Sequence, residues 1–247
     1  MNDPWHSLRR FTQARIALGR AGSAVTTAAY LDFQLAHAGA RDAVLKTWDA
    51  DGFAVQLLQQ SLVPIRLNTP VSDRTHYLRR PDLGRRLDDD SLVRLKQLAE
   101  PGCDVAIIIS NGLSSTAVET HGMPLLQHIV ARYMEMALSV APICLVPNAR
   151  VAISDPIGVL LQARLAVIMV GERPGLSAAD SLGLYLTYAP REGNTDAERN
   201  CLSNIRPPEG LSYEAAAQKL AYLSREALRS GVSGVHLKDD MPKQLLG

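Results

Sequence analysis

Hydrophobic and polar positions along the chain change period near residue 103. From there on, short unbroken apolar runs alternate with longer stretches of helical spacing. The runs over 104–109, Ile143 to Val146 and Leu165 to Val170 are rich in Val, Ile, Leu and Met, as strands buried on both faces of a sheet are. Leu182 to Tyr188 alternates large apolar with small or polar residues and reads as a further strand. Between the first two runs, Val118, Leu125, Leu126, Ile129, Tyr133 and Leu138 form one side of a long helix, opened by the capping-box spacing Thr116-Ala-Val-Glu119. A short helix is predicted over about Asp155 to Arg164. Ser212 is placed to cap a last helix carrying Ala216, Ala217, Leu220, Leu223 and Leu228, which Gly231 would end. Strands alternating with helices predict an α/β fold, a Rossmann-like parallel sheet flanked by helices with right-handed crossovers.

The first hundred residues read differently. Leu8, Phe11, Ala14 and Leu18 make a weakly amphipathic helix over 7–18, flanked by Arg9, Arg10 and Arg15, that would dock on its own domain or on a partner. From Thr27 to about Trp48, Leu31, Leu35, Ala38, Leu45 and Trp48 recur at helical spacing. Residues 64–86 carry Pro64, Pro70, Pro81 and Gly84 and read as irregular. Their basic cluster (Arg74, His76, Arg79, Arg80, Arg85, Arg86) precedes Asp88-Asp-Asp90: a solvated, self-paired loop, or alternatively a docking surface for an anionic group. A helix over about Asp90 to Ala99, capped by Asp90, would turn Leu92, Leu95 and Leu98 inward. The organisation expected is therefore a mainly helical, partly irregular region over 1–100 and a Rossmann-like domain over 101–247.

Charge narrows the partners. Lys+Arg total 26 and Asp+Glu 25, a net charge of +1 that argues against a general nucleic-acid or membrane-surface binder. No apolar run approaches the ~18 residues of a membrane span, and the N-terminus has no hydrophobic signal region. Cys103, Cys144 and Cys201 are odd in number, widely spaced and lack a CxxC pair, which fits a reducing cytoplasm.

The candidate chemistry gathers after the run ending at Val170. Gly171, Pro174 and Gly175 force a loop at that strand's carboxyl end, where open parallel sheets bind ligands. Glu172 and Arg173 stand in this loop, as ligand contacts or as a local ion pair. Catalytic signatures are missing. There is no GxSxG, His236 is the one late histidine, and HExxH is absent. A stand-alone nucleotide-using enzyme would need GxGxxG or GxxxxGK[ST], and neither occurs. His121 and His128 share a helix face without a third ligand, so no metal site is predicted, and His37 reads as structural. By motif the chain is a binding domain without its own catalytic set.

Longer runs carry more information. Ala14-Arg-Ile-Ala-Leu-Gly-Arg-Ala-Gly22, Leu31-Asp-Phe-Gln-Leu-Ala-His-Ala38, Tyr77-Leu-Arg-Arg-Pro-Asp-Leu-Gly-Arg-Arg-Leu87, Val170-Gly-Glu-Arg-Pro-Gly-Leu-Ser177, Asp180 to Tyr188 and Thr195-Asp-Ala-Glu-Arg-Asn-Cys201 together make the chain resemble the small (light) subunit of ethanolamine ammonia-lyase. The resemblance spans about Phe11 to Lys238. It implies a subunit of an adenosylcobalamin-dependent lyase that converts ethanolamine to acetaldehyde and ammonia by radical chemistry. A large subunit would hold the substrate, and the small one would cover the cofactor from the other side, in keeping with the missing catalytic set. Family cofactor contacts fall on Val151, Glu172 and Cys201. Glu172 would accept hydrogen bonds from corrin amides or a ribose hydroxyl, and Cys201 would pack against the ring. The Asp-x-His-x-x-Gly motif, by which many cobalamin domains replace the cofactor's own base, is absent, so base-on binding is expected. The short N-terminus compared with extended relatives favours the free cytoplasm over a bacterial microcompartment. A structural adaptor that stabilises a partner without touching cofactor is the alternative.

Overall fold

Val105–Ser110 is buried at every position, so elements must cover both its faces. The computed structural model, which describes residues 5–98 and 102–242, shows how. In chain order the elements begin with a small ribbon, β1 (Arg20–Ala21) and β2 (Ala24–Val25), followed by α1 (Thr27–Leu45), α2 (Ala50–Gln59), β3 (Pro64–Arg66), α3 (Arg74–Arg79) and α4 (Asp89–Leu98). Then come β4 (Val105–Ser110), α5 (Ser115–Ala117), α6 (Met123–Glu135), β5 (Ile143–Leu145), α7 (Ser154–Leu160), β6 (Leu165–Gly171), β7 (Leu182–Tyr188), β8 (Asn200–Ile205) and α8 (Tyr213–Ser230).

The main sheet has the order β3-β5-β4-β6-β7-β8. β3, β5, β4 and β6 are parallel, whereas β7 and β8 run antiparallel to their neighbours. The fold is thus mixed α/β, and the expectation of an all-parallel sheet is corrected at its last two strands. The reason is chain length. Residues 172–181 and 189–199 join β6 to β7 and β7 to β8, too short for the dozen or more residues, usually helical, of a parallel crossover.

Alternate residues of β4 and β6 point to two cores. Val105, Ile107, Ile109, Val167 and Met169 face α2, α6 and α8, with Phe53, Leu57, Leu126, Ile129 and Leu220 among the covering residues. Ala106, Ile108 and Ile168 face α4 and α7, covered by Leu95, Ile153 and Ile157. The first hundred residues contribute to this body directly: α2 covers one face, α4 the other, and β3 forms an edge.

Several local expectations are revised. α5 is capped by Ser114, whose Oγ accepts from Ala117 N at 3.2 Å, not by Thr116. Its run continues into α6 through a widened turn over Val118–Gly122. Pro124 stands just inside α6, has no N–H to return to the preceding turn, and so favours that widening. α4 is capped by Asp88, which accepts from Ser91 N at 2.8 Å, rather than by Asp90. The side chain of Leu98, and Ala99, lie outside the described residues. The helix expected over 7–18 is a 3-10 turn, His6–Phe11, with no buried residue. α1 stops at Leu45, and Trp48 turns instead into the core beside Phe53. As expected, Ser212 caps α8 and Gly231 ends it at φ +72°. No helix among the described residues is long and apolar enough to cross a membrane.

Candidate functional site

The carboxyl ends of β4, β5 and β6 lie side by side, and the loops that leave them frame an open groove of about 410 Å³. Two glycines let these loops meet. Gly112 has φ +46°, and a Cβ there would fall 2.3 Å from Val170 Cγ2; a Cβ on Gly171 would fall 2.1 Å from the Ser114 carbonyl oxygen. Leu113 N donates to Gly171 O at 2.9 Å across this contact.

Polar side chains fix the rim. Ser110 Oγ accepts from Gly112 N at 3.2 Å and from Ala149 N at 3.0 Å, joining the ends of β4 and β5. Asn148 N donates to Asn111 Oδ1 at 2.7 Å, and Asn148 takes the left-handed conformation at φ +55°. Arg74, only 7% exposed, donates Nε to Val44 O at 2.7 Å and Nη1 to Gly112 O at 2.6 Å and Asn148 Oδ1 at 3.1 Å. One guanidinium therefore ties the end of α1 to two strand ends, while its Nη2 is buried without a partner. Tyr77, one turn on, is fully buried and donates to Ala149 O at 3.2 Å. That burial raises its pKa, opposed by the positive charge and hydrogen bond of Arg150.

The sequence-predicted site residues fall on or beside this groove. Val151 and Glu172 line it, together with Arg150, Arg173, Tyr77 and Tyr185. Val151 is held from behind, since Arg150 N donates to Gly84 O at 2.7 Å. Cys201 is not part of the lining. It lies opposite Tyr185 in the β7–β8 register, close enough for the tyrosine hydroxyl to lower its thiol pKa. The structure thus brings two of the three into one groove and sets the third one side chain away.

Glu172 is more occupied than its sequence context foretold. Its Oε2 accepts from Ser181 Oγ and from Asn204 N at 3.2 Å, and its Oε1 accepts from Ser203 Oγ. Of the roughly four lone-pair positions of a carboxylate, three are used inside the chain. Glu172 clasps the loop after β6 to β7 and β8, and one position on Oε1 stays open. Partial burial raises the Cys201 thiol pKa and the Glu172 carboxylate adds to the rise, while the Tyr185 hydroxyl works against it. Burial likewise lifts Tyr185. Both shifts favour the protonated thiol and phenol, although Cys201 itself is exposed at the sheet edge.

Tyr77, Arg150 and Tyr185 escaped the sequence reading as site residues, and Arg74 entered it only as one of a basic cluster. Tyr77 lies in the run Tyr77 to Leu87 and Tyr185 in the run Asp180 to Tyr188, and those runs held the signal. The basic cluster disperses: Arg74 turns inward, and Arg80 pairs with Asp82, which lowers that carboxyl to about 2 through the hydrogen bonds between them. His121 is buried between Tyr213 Oη at 2.7 Å and Asp180 Oδ2 at 3.1 Å, and His128 bonds Glu214 Oε2 at 2.9 Å. Among the described residues no group of three or more His, Cys, Asp or Glu is arranged to hold a metal ion.

Fold and groove together define a mixed α/β chain with an open groove at the carboxyl ends of its parallel strands, framed by loops fixed through hydrogen bonds. Comparison with known proteins gives the particular family. The family model described as Ethanolamine ammonia-lyase light chain (EutC) matches residues 2–238, and the chain belongs to that family. It is 51% identical to the ethanolamine ammonia-lyase small subunit of Xanthomonas campestris pv. campestris over 248 residues, covering 99% of this chain and 91% of the relative. The small subunit of Pseudomonas putida is 52% identical over 242 residues (97% and 89%), and that of Azotobacter vinelandii 54% over 241 (96% and 89%).

Proposed function

We propose that this chain is the small subunit of an adenosylcobalamin-dependent ethanolamine ammonia-lyase, and that its rim groove orients and shields the cofactor against a large catalytic subunit. The observation that carries the reading is the meeting of Val151, Glu172 and Tyr185 in one groove, with Cys201 beside them. Residues from about 101 onward then form a Rossmann-like cofactor-contacting part, and the first hundred flank it. The reading places the enzyme in the bacterial cytoplasm.

The residues fit such a group. A corrin is a broad, largely apolar disc fringed with amides. A groove of about 410 Å³ takes one edge of it and leaves the rest for another surface to cover. Val151 and the Tyr185 ring give apolar contact, Arg150 and Arg173 offer donors, and the open position on Glu172 Oε1 accepts one amide or hydroxyl proton. A hydrogen bond to that carboxylate contributes about 1.5–3 kcal/mol. When bound, the cofactor supplies the radical that begins the conversion of ethanolamine to acetaldehyde and ammonia. This chain's own residues would hold the ring's fringe and exclude water, with Cys201 and the Tyr185 ring packed beside it.

The adaptor reading, in which the chain stabilises its partner without touching cofactor, draws on the internal clasp of Glu172. Absorption titration with cobalamin separates the two. The two-chain complex is expected to bind at least tenfold tighter than the large subunit alone. Equal binding with and without this chain would favour the adaptor.

A further inference from the structure

α1 carries its leucines on the wrong side for a self-contained chain. Leu31, Leu35 and Leu45 follow the spacing i, i+4, i+14, one stripe of a helix built for burial. Yet they are 56%, 75% and 52% exposed, with Tyr30 beside them exposed as well. The opposite edge is mainly alanine: Ala29, Ala36 and Ala40 are half-buried and Ala43 is the one buried residue of the helix, with Phe33 on that edge 42% exposed. Small residues toward the chain's own body and large apolar residues away from it describe a helix that lies between two bodies.

We infer that the Leu31–Leu35–Leu45 face of α1 is a docking surface for the large subunit, seated in an apolar groove of that partner. This rests on the proposed function, which supplies the partner. Position argues for the same occupant. α1 ends at the rim of the cofactor groove, where Arg74 holds Val44 O and Ser115 Oγ donates to Lys46 O at 2.5 Å. A second body closing over the groove therefore reaches the carboxyl end of α1 and can extend along its exposed stripe. The charge on the stripe is low, with Asp42 the acidic residue in its row, so the contact is apolar in kind, a helix laid into a groove with Leu31 and Leu35 one turn apart as its anchors and the smaller Ala38 at i+7.

The test uses the full chain with its large subunit. Leu31→Glu and Leu35→Glu are each made, with Val93→Glu, an exposed apolar position on α4, as control. Melting temperature of the free chain and affinity for the large subunit are measured. The inference expects melting within a degree or two of wild type, at least a hundredfold loss of affinity in both α1 variants, and wild-type affinity in the control. Wild-type affinity in the α1 variants would overturn it. So would a large fall in melting temperature, which would show the stripe packed on its own chain, or a wild-type chain that sediments as a dimer dissociated by Leu31→Glu, which would make a second copy the occupant. Failure of the wild-type chain to bind a large subunit would instead sink the proposed function.

Discussion

Arg199 and Asp155 meet through two parallel hydrogen bonds, Nη1 to Oδ1 at 2.8 Å and Nη2 to Oδ2 at 2.6 Å, with side chains only 1% and 4% exposed. The fork also donates to Thr187 Oγ1 at 3.1 Å and Asn194 O at 3.2 Å. α7, β7 and the entry to β8 are pinned at one point, two residues before Cys201. Removing one partner of a buried pair leaves the other charge uncompensated, at a cost of about 3–5 kcal/mol, whereas apolar replacement of both often costs far less. Asp155→Leu and Arg199→Met are each expected to lower the urea midpoint strongly, and the double variant to be more stable than either. Strictly additive losses would show that the two side chains act independently.

Cys201 gives a prediction in which two neighbours pull in opposite directions. Its thiol pKa is raised by partial burial and by the Glu172 carboxylate, and lowered by the Tyr185 hydroxyl. The thiolate is the reacting species. At pH 8, iodoacetamide should therefore alkylate Cys201 more slowly than it alkylates an unstructured cysteine peptide. Glu172→Gln should speed the reaction, and Tyr185→Phe should slow it further. Cys144, fully buried and pushed up to about 12, should not react in the folded chain. Mass spectrometry of alkylated peptides over time reads all four rates, and equal rates in the two variants would refute the electrostatic account.

Much of this architecture was legible in the residues, and the exceptions have physical causes. β4, β5 and β6 are buried on both faces, which leaves an unbroken apolar run that no other element mimics at that length. β8 reads Asn-Cys-Leu-Ser-Asn-Ile and is half open at the sheet edge, so only Leu202 and Ile205 show the pattern of burial. β3 is three residues long and starts at Pro64, a residue that usually signals a break but is tolerated at the start of an edge strand. Periodicity located α1 but cannot say what covers a stripe. Arg74 looks like its exposed neighbours in sequence, because only the fold brings three carbonyl and amide oxygens around it. Glu172 was already marked by its loop at a strand's carboxyl end, whereas Val151 was reached through family resemblance alone; spacing would not have joined residues on separate loops.

Asp104 gives an acid-sensitive contribution to stability. Its Oδ2 accepts from Ser139 N and Oγ, both at 2.9 Å, and its Oδ1 from Arg164 Nη1 at 2.9 Å. The backbone hydrogen bond from Ser139 leads in lowering its pKa, against a smaller opposing effect of burial. A carboxyl with a lower pKa folded than unfolded binds fewer protons in the folded state. Its contribution is complete above the unfolded value of about 3.9 and is lost as pH falls through the folded value. Asp104→Asn should cost about 1 kcal/mol at pH 7. The gap from wild type should close below about pH 4, as read by urea unfolding at stepped pH. A gap that persists undiminished at pH 2.5 would contradict this assignment.

Base-on cofactor binding is the last expectation, and geometry now bears on it. No histidine lines the groove. His121 is engaged by Tyr213 and Asp180, His128 by Glu214, and His76 Nδ1 accepts from Ser72 N at 3.2 Å. Each of these rings is already held by neighbours, so replacing the cofactor's own base with one of them would break existing contacts. In the two-chain complex loaded with cob(II)alamin as probe, the electron paramagnetic resonance spectrum should therefore be unchanged when this chain's histidines carry nitrogen-15 in place of nitrogen-14. The cobalt signal should keep the splitting of one dimethylbenzimidazole nitrogen. A change of that splitting on labelling this chain would mean that one of its histidines has become the axial ligand, and the groove would then have to rearrange to deliver it.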